Sequence, residues 1–554
     1  MKALLGVLFF FVFGSSALAE RYIVVLKNKT TFNNVHSQIT LAKTSRLESS
    51  SAFAAHPMAV EASLANLNTL VVSSTNIAAI RSLAANSEIA WIEKEKFYRS
   101  PAPVRGYKMT QAWDYRGPGG SRTRAAMTAG SNPVLGGKTP YGISLVKAPQ
   151  AWAKGFQGQN VRVVILDTGI DKNHPALGAQ IAATQDFVGD HNMPYDVADH
   201  VGHGSHVAGT IAGVPFADGF VGVAPKAQLM IGRVCSQEGC STAAVVAGIN
   251  WAISQKADVV NLSLGGKEGT QVEKLALAAA EKAGVVIVAA SGNDGVGQVG
   301  FPAAFANVIA VGAVDSQARK AEFSQWGPEL SVVGPGVDVT SSVPVGTGRD
   351  TLVVLSNQGV PKQVLASSFL GSPQVPSGLV GNLIDCGLGK PEELNAAKVS
   401  GKLALIKRGE LKFLDKAKNA IAAGAKGVVF YNTEPGLVQG SITSDGSTLS
   451  IPVIMIEQIN GEAVKRILAG GGMVEANLKT FPADYSMMSG TSMATPHVTG
   501  VVALIRSANR KLNPTQVREV LKTTCRALAP NTANEFGKGL VDSEAAVVKA
   551  LSIH

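Results

Sequence analysis

Residues 161–169 read VRVVILDTG, an almost unbroken apolar run that ends at an aspartate, Asp167. A strand of a parallel sheet is covered on both faces, so its sequence is continuously apolar instead of alternating. Similar runs follow along the chain, with helical stretches between them. The further predicted strands are 229–234, 259–264, 285–290 and 308–311, and the predicted helices are 243–256 and 272–283. This alternation predicts an α/β fold with a doubly wound, mostly parallel sheet.

Polar residues stand at the ends of these predicted strands. Asp167 ends the first run, Ser263 lies near the end of the third, and Asn293 follows the fourth. In a sheet of this kind, ligands bind beyond the carboxyl ends of the strands. These three residues are therefore the first candidates for a functional site.

Three segments point to a specific chemistry: ILDTGID at 165–171, GHGSHVAGT at 202–210 and SGTSMATPHVTG at 489–500. Together, and in this order, they closely resemble the signatures of the subtilase family. An esterase on another α/β fold would carry a G-x-S-x-G turn with its acid and histidine after the serine, whereas both precede it here. The resemblance implies a serine endopeptidase that works through an acyl-enzyme, and the implied catalytic residues are Asp167, His203 and Ser492.

Each residue type suits its implied role. The Ser492 hydroxyl is a poor nucleophile until a base removes its proton. His203 is the implied base, because a neutral imidazole accepts that proton and returns it to the leaving amine. Asp167 would hold the other ring nitrogen and stabilise the imidazolium. His206 is the competing base, and we expect it to pack or hydrogen-bond locally instead.

Other polar residues near these motifs are expected to be structural. His497 falls within an apolar helical stretch, and His174 precedes a proline. Asp171, four residues after Asp167, is interpreted as a turn or cap residue.

The resemblance also implies an oxyanion site and a peptide-binding cleft. Ser492 opens an apolar helix whose N-terminal N–H groups would face a developing oxyanion, and Asn293 would supply a second donor. The implied substrate-binding residues are Ser263, Leu264, Gly265, Gly239, Gly292 and Gly300. Gly292 and Gly300 would form walls of the primary specificity pocket, which should then accept bulky apolar side chains. Asp294 is expected near the rim of this pocket, so basic substrate side chains are the alternative.

The first 19 residues have the three regions of a signal peptide. Lys2 is followed by an apolar run at 3–13, and the small residues Ala17 and Ala19 mark cleavage before Glu20. The run is short for a membrane anchor, which needs about 20 residues. We therefore expect a secreted protein, extracellular or periplasmic, with no membrane contact once the signal is removed.

Export permits disulfides, and the chain has four cysteines. Cys235 and Cys240, in CSQEGC, are expected to pair, while Cys386 and Cys525 are isolated. Zinc ligation is the alternative, but no neighbouring His or second Cys pair completes a tetrahedral set.

The length of 554 residues predicts several domains. Residues 20–99 are predicted to be an α+β domain that resembles the inhibitory, chaperone-like propeptide of subtilases. Residues 346–479 interrupt the enzyme, and GKLALIKRGELKFLDKAKNAIAAGAKGVVFYN at 401–432 resembles a protease-associated (PA) domain, β-rich and α/β. The predicted segments are 1–19 signal peptide, 20–99 propeptide, 100–139 linker and processing region, 140–345 and 480–554 catalytic domain, and 346–479 PA domain.

No cofactor is expected for catalysis, and no metal ligand is assigned. Relatives with structural calcium place an acidic ligand after an HP motif and an Asn-rich loop before GVAP; here those places read Ala176 and Pro215-Phe216-Ala217. Side chains without oxygen cannot bind a hard cation, so the commonest calcium site is predicted to be absent, while other sites stay open.

The expected partners are protein and peptide substrates and the chain's own propeptide, and we expect a monomer. The net charge is +10, but no Lys/Arg tract interleaved with aromatic residues is present, so nucleic acid is not expected. The alternative to a peptidase is a catalytically inactive, secreted binding protein on the same fold, in which the triad should be broken.

Overall fold

The computed structural model describes most of the chain. The described residues are 20–33, 58–64, 67–74, 77–98, 139–189, 197–215, 220–236, 238–369, 371–433, 437, 442–443, 447–531 and 533–554. The predicted signal peptide and nearly all of the predicted processing region lie outside this part. The chain divides into two compact units, Met1–Phe97 with Thr270–Ala276, and Tyr98–Gly269 with Leu277–His554.

The first unit contains a four-stranded antiparallel sheet in the order β2-β3-β1-β4. Its elements are β1 Glu20–Leu26, β2 Met58–Leu64, β3 Thr69–Ser74, α1 Ile77–Ala84 and β4 Ile89–Lys94. Strand β2 was not predicted, because its sequence MAVEASL is rich in residues that favour helix. Pairing with β3 over its length overrides that local preference.

The second unit is built on a seven-stranded parallel sheet in the order β13-β12-β11-β10-β6-β8-β7. Its strands are β6 Arg162–Asp167, β7 Ile181–Asp186, β8 Gln228–Arg233, β10 Val259–Leu262, β11 Val286–Ala290, β12 Val308–Val314 and β13 Val332–Pro335. The predicted α/β class with a doubly wound parallel sheet is confirmed. Strands β6 and β10 are neighbours from which the strand order runs in opposite directions, so a cleft for ligands is expected at their carboxyl ends.

Helices cover both faces of this sheet, and short strands complete the unit. The helices are α2 Tyr141–Leu145, α3 Ala148–Ala153, α4 His203–Ala212, α5 Thr242–Ser254, α6 Gln271–Lys282, α10 Thr491–Ala508, α11 Pro514–Thr523 and α12 Ser543–Leu551. The part of α6 up to Ala276 belongs to the first unit. The short strands are β5 Phe97–Tyr98, β9 Cys240–Ser241, β14 Val339–Ser342 and β23 Tyr485–Met488. Helix α10 is buried from Thr491 to Arg506, and it packs on α4, α12 and strands β10 to β13.

The predicted insertion folds into a barrel within the second unit. Its strands are β15 Gly348–Asn357, β16 Val360–Val364, β17 Ala366–Ser368, β18 Leu379–Asp385, β19 Leu403–Lys407, β20 Gly427–Tyr431, β21 Val453–Ile456 and β22 Val474–Ala483. Its helices are α7 Pro391–Ala397, α8 Phe413–Ala422 and α9 Gln458–Ala469. Only Leu365 separates β16, at one edge of the sheet, from β17 at the other, so the sheet closes on itself.

The insertion leaves and rejoins the parallel-sheet part of the unit at adjacent points. Strands β15 and β22 pair antiparallel from Gly348 opposite Ala483 to Asn357 opposite Val474. Beyond them, β14 and β23 pair from Val339 opposite Met488 to Ser342 opposite Tyr485. The chain therefore returns beside its point of departure, and the segment that carries Ser492 follows directly. Among the described residues, no helix is both long and apolar enough to cross a membrane.

Candidate active site

The site is built on the carboxyl end of β6. Asp167 is the last residue of that strand and is fully buried. Its Oδ1 accepts a hydrogen bond from the Thr168 backbone N–H at 2.8 Å and lies 2.7 Å from His203 Nδ1. Because Asp167 holds Nδ1, the other nitrogen of the imidazole is left to act as the base.

His203 is the first residue of α4, and Asp199 fixes the start of that helix. One Asp199 oxygen accepts from the Gly202 N–H at 2.7 Å and from the Thr168 hydroxyl at 2.8 Å; the other accepts from the Ser205 N–H at 2.7 Å. The carboxylate thereby accepts hydrogen bonds from N–H groups that have no partner within the helix. Its negative charge also interacts favourably with the positive end of the helix dipole. Asp199 is buried and ties the base to the residue after Asp167.

Sequence reasoning missed Asp199. The N-cap of the helix is Gly202, and Asp199 lies three residues before it, outside the position of an ordinary N-cap aspartate. Its position four residues before His203 placed it within reach of that helix start.

Ser492 is the second residue of α10 and is buried. Its hydroxyl donates to the backbone oxygen of Ser263 at 3.0 Å, and the Ser263 hydroxyl donates to the backbone oxygen of Ser492 at 2.9 Å. Within the described part of the chain, His203 Nε2 is buried and makes no hydrogen bond. For attack, the Ser492 hydroxyl would therefore exchange the Ser263 carbonyl for the imidazole.

Pro496 explains why the Ser492 carbonyl is free to accept that bond. It lies inside α10, four residues after Ser492. A proline has no backbone N–H, so the helical bond from position 496 to the carbonyl of 492 cannot form. The Ser263 hydroxyl takes its place, and Asn261 Nδ2 donates in turn to Ser263 Oγ at 2.9 Å. These bonds join the nucleophile to the end of β10.

Asn293 is oriented by Thr491. Its Oδ1 accepts from both the backbone N–H and the hydroxyl of Thr491, each at 2.8 Å. A backbone N–H can only donate, so the side-chain oxygen must face it, and Nδ2 is directed elsewhere. Nδ2 lies 3.4 Å from where a Cβ on Gly490 would stand. The structure thus brings this donor beside the N-terminus of α10.

The predicted pocket residues also lie together. Gly265 approaches Phe301 so closely that a Cβ there would lie 2.7 Å from the Phe301 oxygen. The Gly300 N–H donates to the Ser291 oxygen at 2.8 Å. Gly292 has a φ of +113°, and a Cβ there would lie 1.9 Å from Gln325 Oε1, so only glycine fits. Ser263 and Leu264 are both buried beside this group.

Cys235 and Cys240 form a disulfide with an S–S distance of 2.05 Å. Gly239 lies in the loop that the disulfide closes, and its oxygen accepts from the Ser236 N–H at 2.9 Å. The loop follows β8, where Val234 and Cys235 both donate to the backbone oxygen of Asp167. The disulfide thus closes a loop that is anchored on the strand bearing Asp167.

Three further histidines in the described part of the chain, His174, His206 and His497, are structural in this arrangement. His206 Nε2 donates to the Val339 oxygen at 2.9 Å, and burial lowers its pKa to about 3. His497 Nδ1 donates to the Met493 oxygen at 2.8 Å, and burial lowers its pKa to about 4. His174 Nε2 donates to the Asp484 oxygen at 2.9 Å. Buried neutral imidazoles that face carbonyl groups are not poised as bases for a substrate.

Asp171 is a turn residue that also bonds the chain just before the insertion. Its Oδ1 accepts from the Asn173 N–H at 2.9 Å, and its Oδ2 accepts from the Val345 N–H at 2.8 Å. The turn after β6 is therefore bonded to the residue that precedes the inserted segment.

The side chains at the predicted place of a calcium ligand do not fit a hard cation. Ala176 is fully buried and packs with Phe220 and Tyr485. Calcium prefers several oxygen ligands, and this cluster is mainly hydrocarbon. No group of three or more acidic, His or Cys side chains that could hold a metal occurs in the described ranges. Phe216 and Ala217, also named in that prediction, lie outside them.

The two remaining cysteines, Cys386 and Cys525, do not carry reactive thiolates. Cys386 is buried and Cys525 is half-buried, and neither forms a disulfide. Burial raises the pKa of each thiol to about 12, so both stay protonated at neutral pH.

Comparison with known proteins agrees with this geometry. The sequence matches the Subtilase family over residues 158–361 and 442–539, and the PA domain over residues 374–464. It is 43% identical over 213 residues to Subtilisin E of Bacillus subtilis (strain 168), covering 38% of this chain and 55% of that protein. It is also 43% identical over 213 residues to Subtilisin of Bacillus pumilus, covering 38% of this chain and 76% of that protein. The chain thus spans little more than half the length of Subtilisin E.

A solved structure is similar over most of the chain. The psychrophilic subtilisin-like protease Apa1 from the Antarctic psychrotroph Pseudoalteromonas sp. AS-11 has 30% sequence identity and a TM-score of 0.53. The match covers 74% of this chain and 97% of that one. The parallel sheet, the order of the Asp, His and Ser segments and these matches have one explanation: the chain belongs to the subtilase family and contains a PA domain.

Proposed function

We propose that this protein is a secreted serine endopeptidase that is made as a self-processing zymogen. The observation that carries the proposal is the 2.7 Å contact between Asp167 Oδ1 and His203 Nδ1 at the end of β6. The Ser492 hydroxyl is bonded to the Ser263 carbonyl, just after the end of the neighbouring strand β10. An inactive binding protein on the same fold would have no need to keep these three groups together. The peptidase activity therefore explains the site best.

The proposed reaction begins with proton transfer from Ser492 to His203 Nε2. The Ser492 oxygen attacks the peptide carbonyl, while Asp167 stabilises the imidazolium that forms. Negative charge then develops on the carbonyl oxygen, where N–H groups at the start of α10 and Asn293 Nδ2 can donate to it. His203 returns the proton to the leaving amine, and water hydrolyses the acyl-enzyme by the reverse sequence of proton transfers. None of these steps needs a cofactor.

The proposed specificity rests on the glycines of the pocket. Gly265, Gly292 and Gly300 carry no side chains, and the resemblance to subtilases implies that Gly292 and Gly300 form walls of the primary specificity pocket. A pocket with such walls accepts a large P1 side chain, and apolar burial then favours binding. We propose broad specificity with a preference for bulky apolar P1 residues in protein and peptide substrates.

The proposed zymogen is supported by Tyr98 in the second unit. Its side chain is almost completely buried, and its ring lies against Gly266. A Cβ on Gly266 would lie 2.7 Å from the ring. Gly266 continues the predicted substrate strand, so the chain just before the predicted processing region lies where an extended substrate would bind. This placement supports our proposal that the protein's own site cleaves the chain and that the N-terminal segment acts as its inhibitor.

The experiment compares wild type with the Ser492→Ala variant. Intact mass over time should show that wild type loses its N-terminal segment and then hydrolyses casein, whereas the variant stays full-length and inert. Wild type that remains full-length and inactive, even after limited proteolysis of the N-terminal segment, would refute the proposal. The inactive binding protein would then replace it.

A further inference from the structure

We propose that Gln325 is a positioning residue for the oxyanion donor Asn293. The inference rests on the proposed peptidase activity and goes beyond it, because no motif of the catalytic site includes Gln325. The residue follows Phe323 and Ser324 on a segment after β12, far from Asn293 in sequence. It is 8% exposed, a low value for an amide side chain, which is mostly found at the surface.

Gln325 brackets Asn293 from both sides. Its backbone N–H donates to the oxygen of Gly292 at 3.1 Å, and its Oε1 accepts from the N–H of Asp294 at 3.3 Å. Gly292 and Asp294 are the residues immediately before and after Asn293. Gln325 therefore holds both residues that flank the donor: its backbone holds Gly292, and its side chain holds Asp294.

The same side chain is held firmly in its own orientation. Its Nε2 donates to the backbone oxygen of Gln298, and its backbone oxygen accepts from the Ser291 hydroxyl at 3.0 Å. The donor at Asp294 and the acceptor at Gln298 leave only one orientation of the amide. Gly292 is needed for this contact, since a Cβ there would overlap Oε1. A buried amide whose oxygen and nitrogen are both hydrogen-bonded holds its neighbours in place.

Thr491 fixes the Asn293 side chain, and Gln325 fixes its backbone. The two Thr491 bonds to Oδ1 set the direction of Nδ2. They can do so only while the Asn293 backbone stays at its place beside α10. Loss of the Gln325 side chain should let the loop shift, and a donor displaced by about 1 Å loses much of its effect on the transition state. The inferred role is thus to stabilise the oxyanion through Asn293.

The test is a double-mutant cycle on the processed enzyme with a peptide anilide as substrate. Gln325→Ala should lower kcat about tenfold with a much smaller change in KM, because the lost interaction exists only in the transition state. In the Asn293→Ala background, the same change should lower kcat less than about twofold, since the donor is already gone. A purely structural role would lower kcat equally in both backgrounds.

Controls separate the possible failures. Gln317→Ala removes an exposed amide side chain from the turn after β12, outside this network, and should leave kcat unchanged. Gln325→Met keeps the side-chain volume without its hydrogen bonds and should reproduce the alanine result if alanine does not fold. Equal losses in both backgrounds, or failure of both variants to fold, would overturn the inference. An inactive wild type would instead refute the proposed function itself.

Discussion

At the scale of single residues, the least expected participant is Asp199. Both oxygens of its carboxylate accept hydrogen bonds. One accepts from the Gly202 N–H and the Thr168 hydroxyl, and the other accepts from the Ser205 N–H. The Asp199→Asn variant would keep one acceptor and turn an NH₂ group toward an N–H donor. We expect kcat/KM to fall roughly tenfold as the imidazole moves relative to Asp167, and the protein to lose about 1–2 kcal/mol of stability.

The matched control for this prediction is Asp171→Asn. Asp171 is also an aspartate close to Asp167 in sequence whose carboxylate accepts backbone N–H bonds, but its side chain bonds Asn173 and Val345 rather than the helix of His203. The Asp171→Asn variant should have a lower melting temperature and a kcat/KM nearly equal to that of wild type. Steady-state kinetics and thermal unfolding on both variants decide the matter; equal activity losses in the two would contradict the role given to Asp199.

At the scale of elements, the loop closed by Cys235 and Cys240 is predicted to matter for substrate binding. It holds Gly239 at the proposed edge of the cleft and starts where β8 bonds the oxygen of Asp167. Replacing both cysteines by serine frees a short loop, which should raise KM for peptides several-fold with little change in kcat. The stability loss for so short a loop is about 2 kcal/mol.

Kinetics with peptide substrates of increasing length check this prediction. Cys525→Ser, at a thiol outside the cleft and without a disulfide, is the matched control and should change neither constant. The role assigned to the loop is wrong if KM stays at the wild-type value for every peptide while the disulfide is absent.

How far the elements and site could be predicted depends on the kind of signal. The parallel strands followed from apolar runs, and Asp167, His203 and Ser492 from motifs that carry their own spacing. Asp199 and Gln325 could not be found in this way, because their roles depend on hydrogen bonds between segments that only the fold brings together. Strand β2 was missed for the related reason that a partner strand, not local propensity, decides its structure.

At the scale of the whole molecule, two buried histidines should make the fold sensitive to acid. His206 and His497 have pKa values lowered by burial to about 3 and about 4, against 6.5 for an exposed imidazole. Both are neutral in the fold at pH 5, but they bind protons in the unfolded chain. Their contribution to stability is thus complete above about pH 6.5 and is lost as the pH falls toward 4.

Denaturant unfolding of the Ser492→Ala protein, which should not digest itself, measures this effect between pH 7 and pH 4.5. His497→Asn would remove one of the two groups and should make the free energy of unfolding depend less steeply on pH. Unchanged steepness in that variant would show that other groups govern the acid sensitivity.

The central claim is that Asp167 and His203 activate Ser492 as a nucleophile. It is tested most directly by reacting the processed wild-type protein with a fluorophosphonate probe and mapping the modified peptide by mass spectrometry. The account predicts one label per molecule, on Ser492, and labelling slowed by orders of magnitude in His203→Ala. Label on another residue, or equally fast labelling of Ser492 without His203, would contradict it.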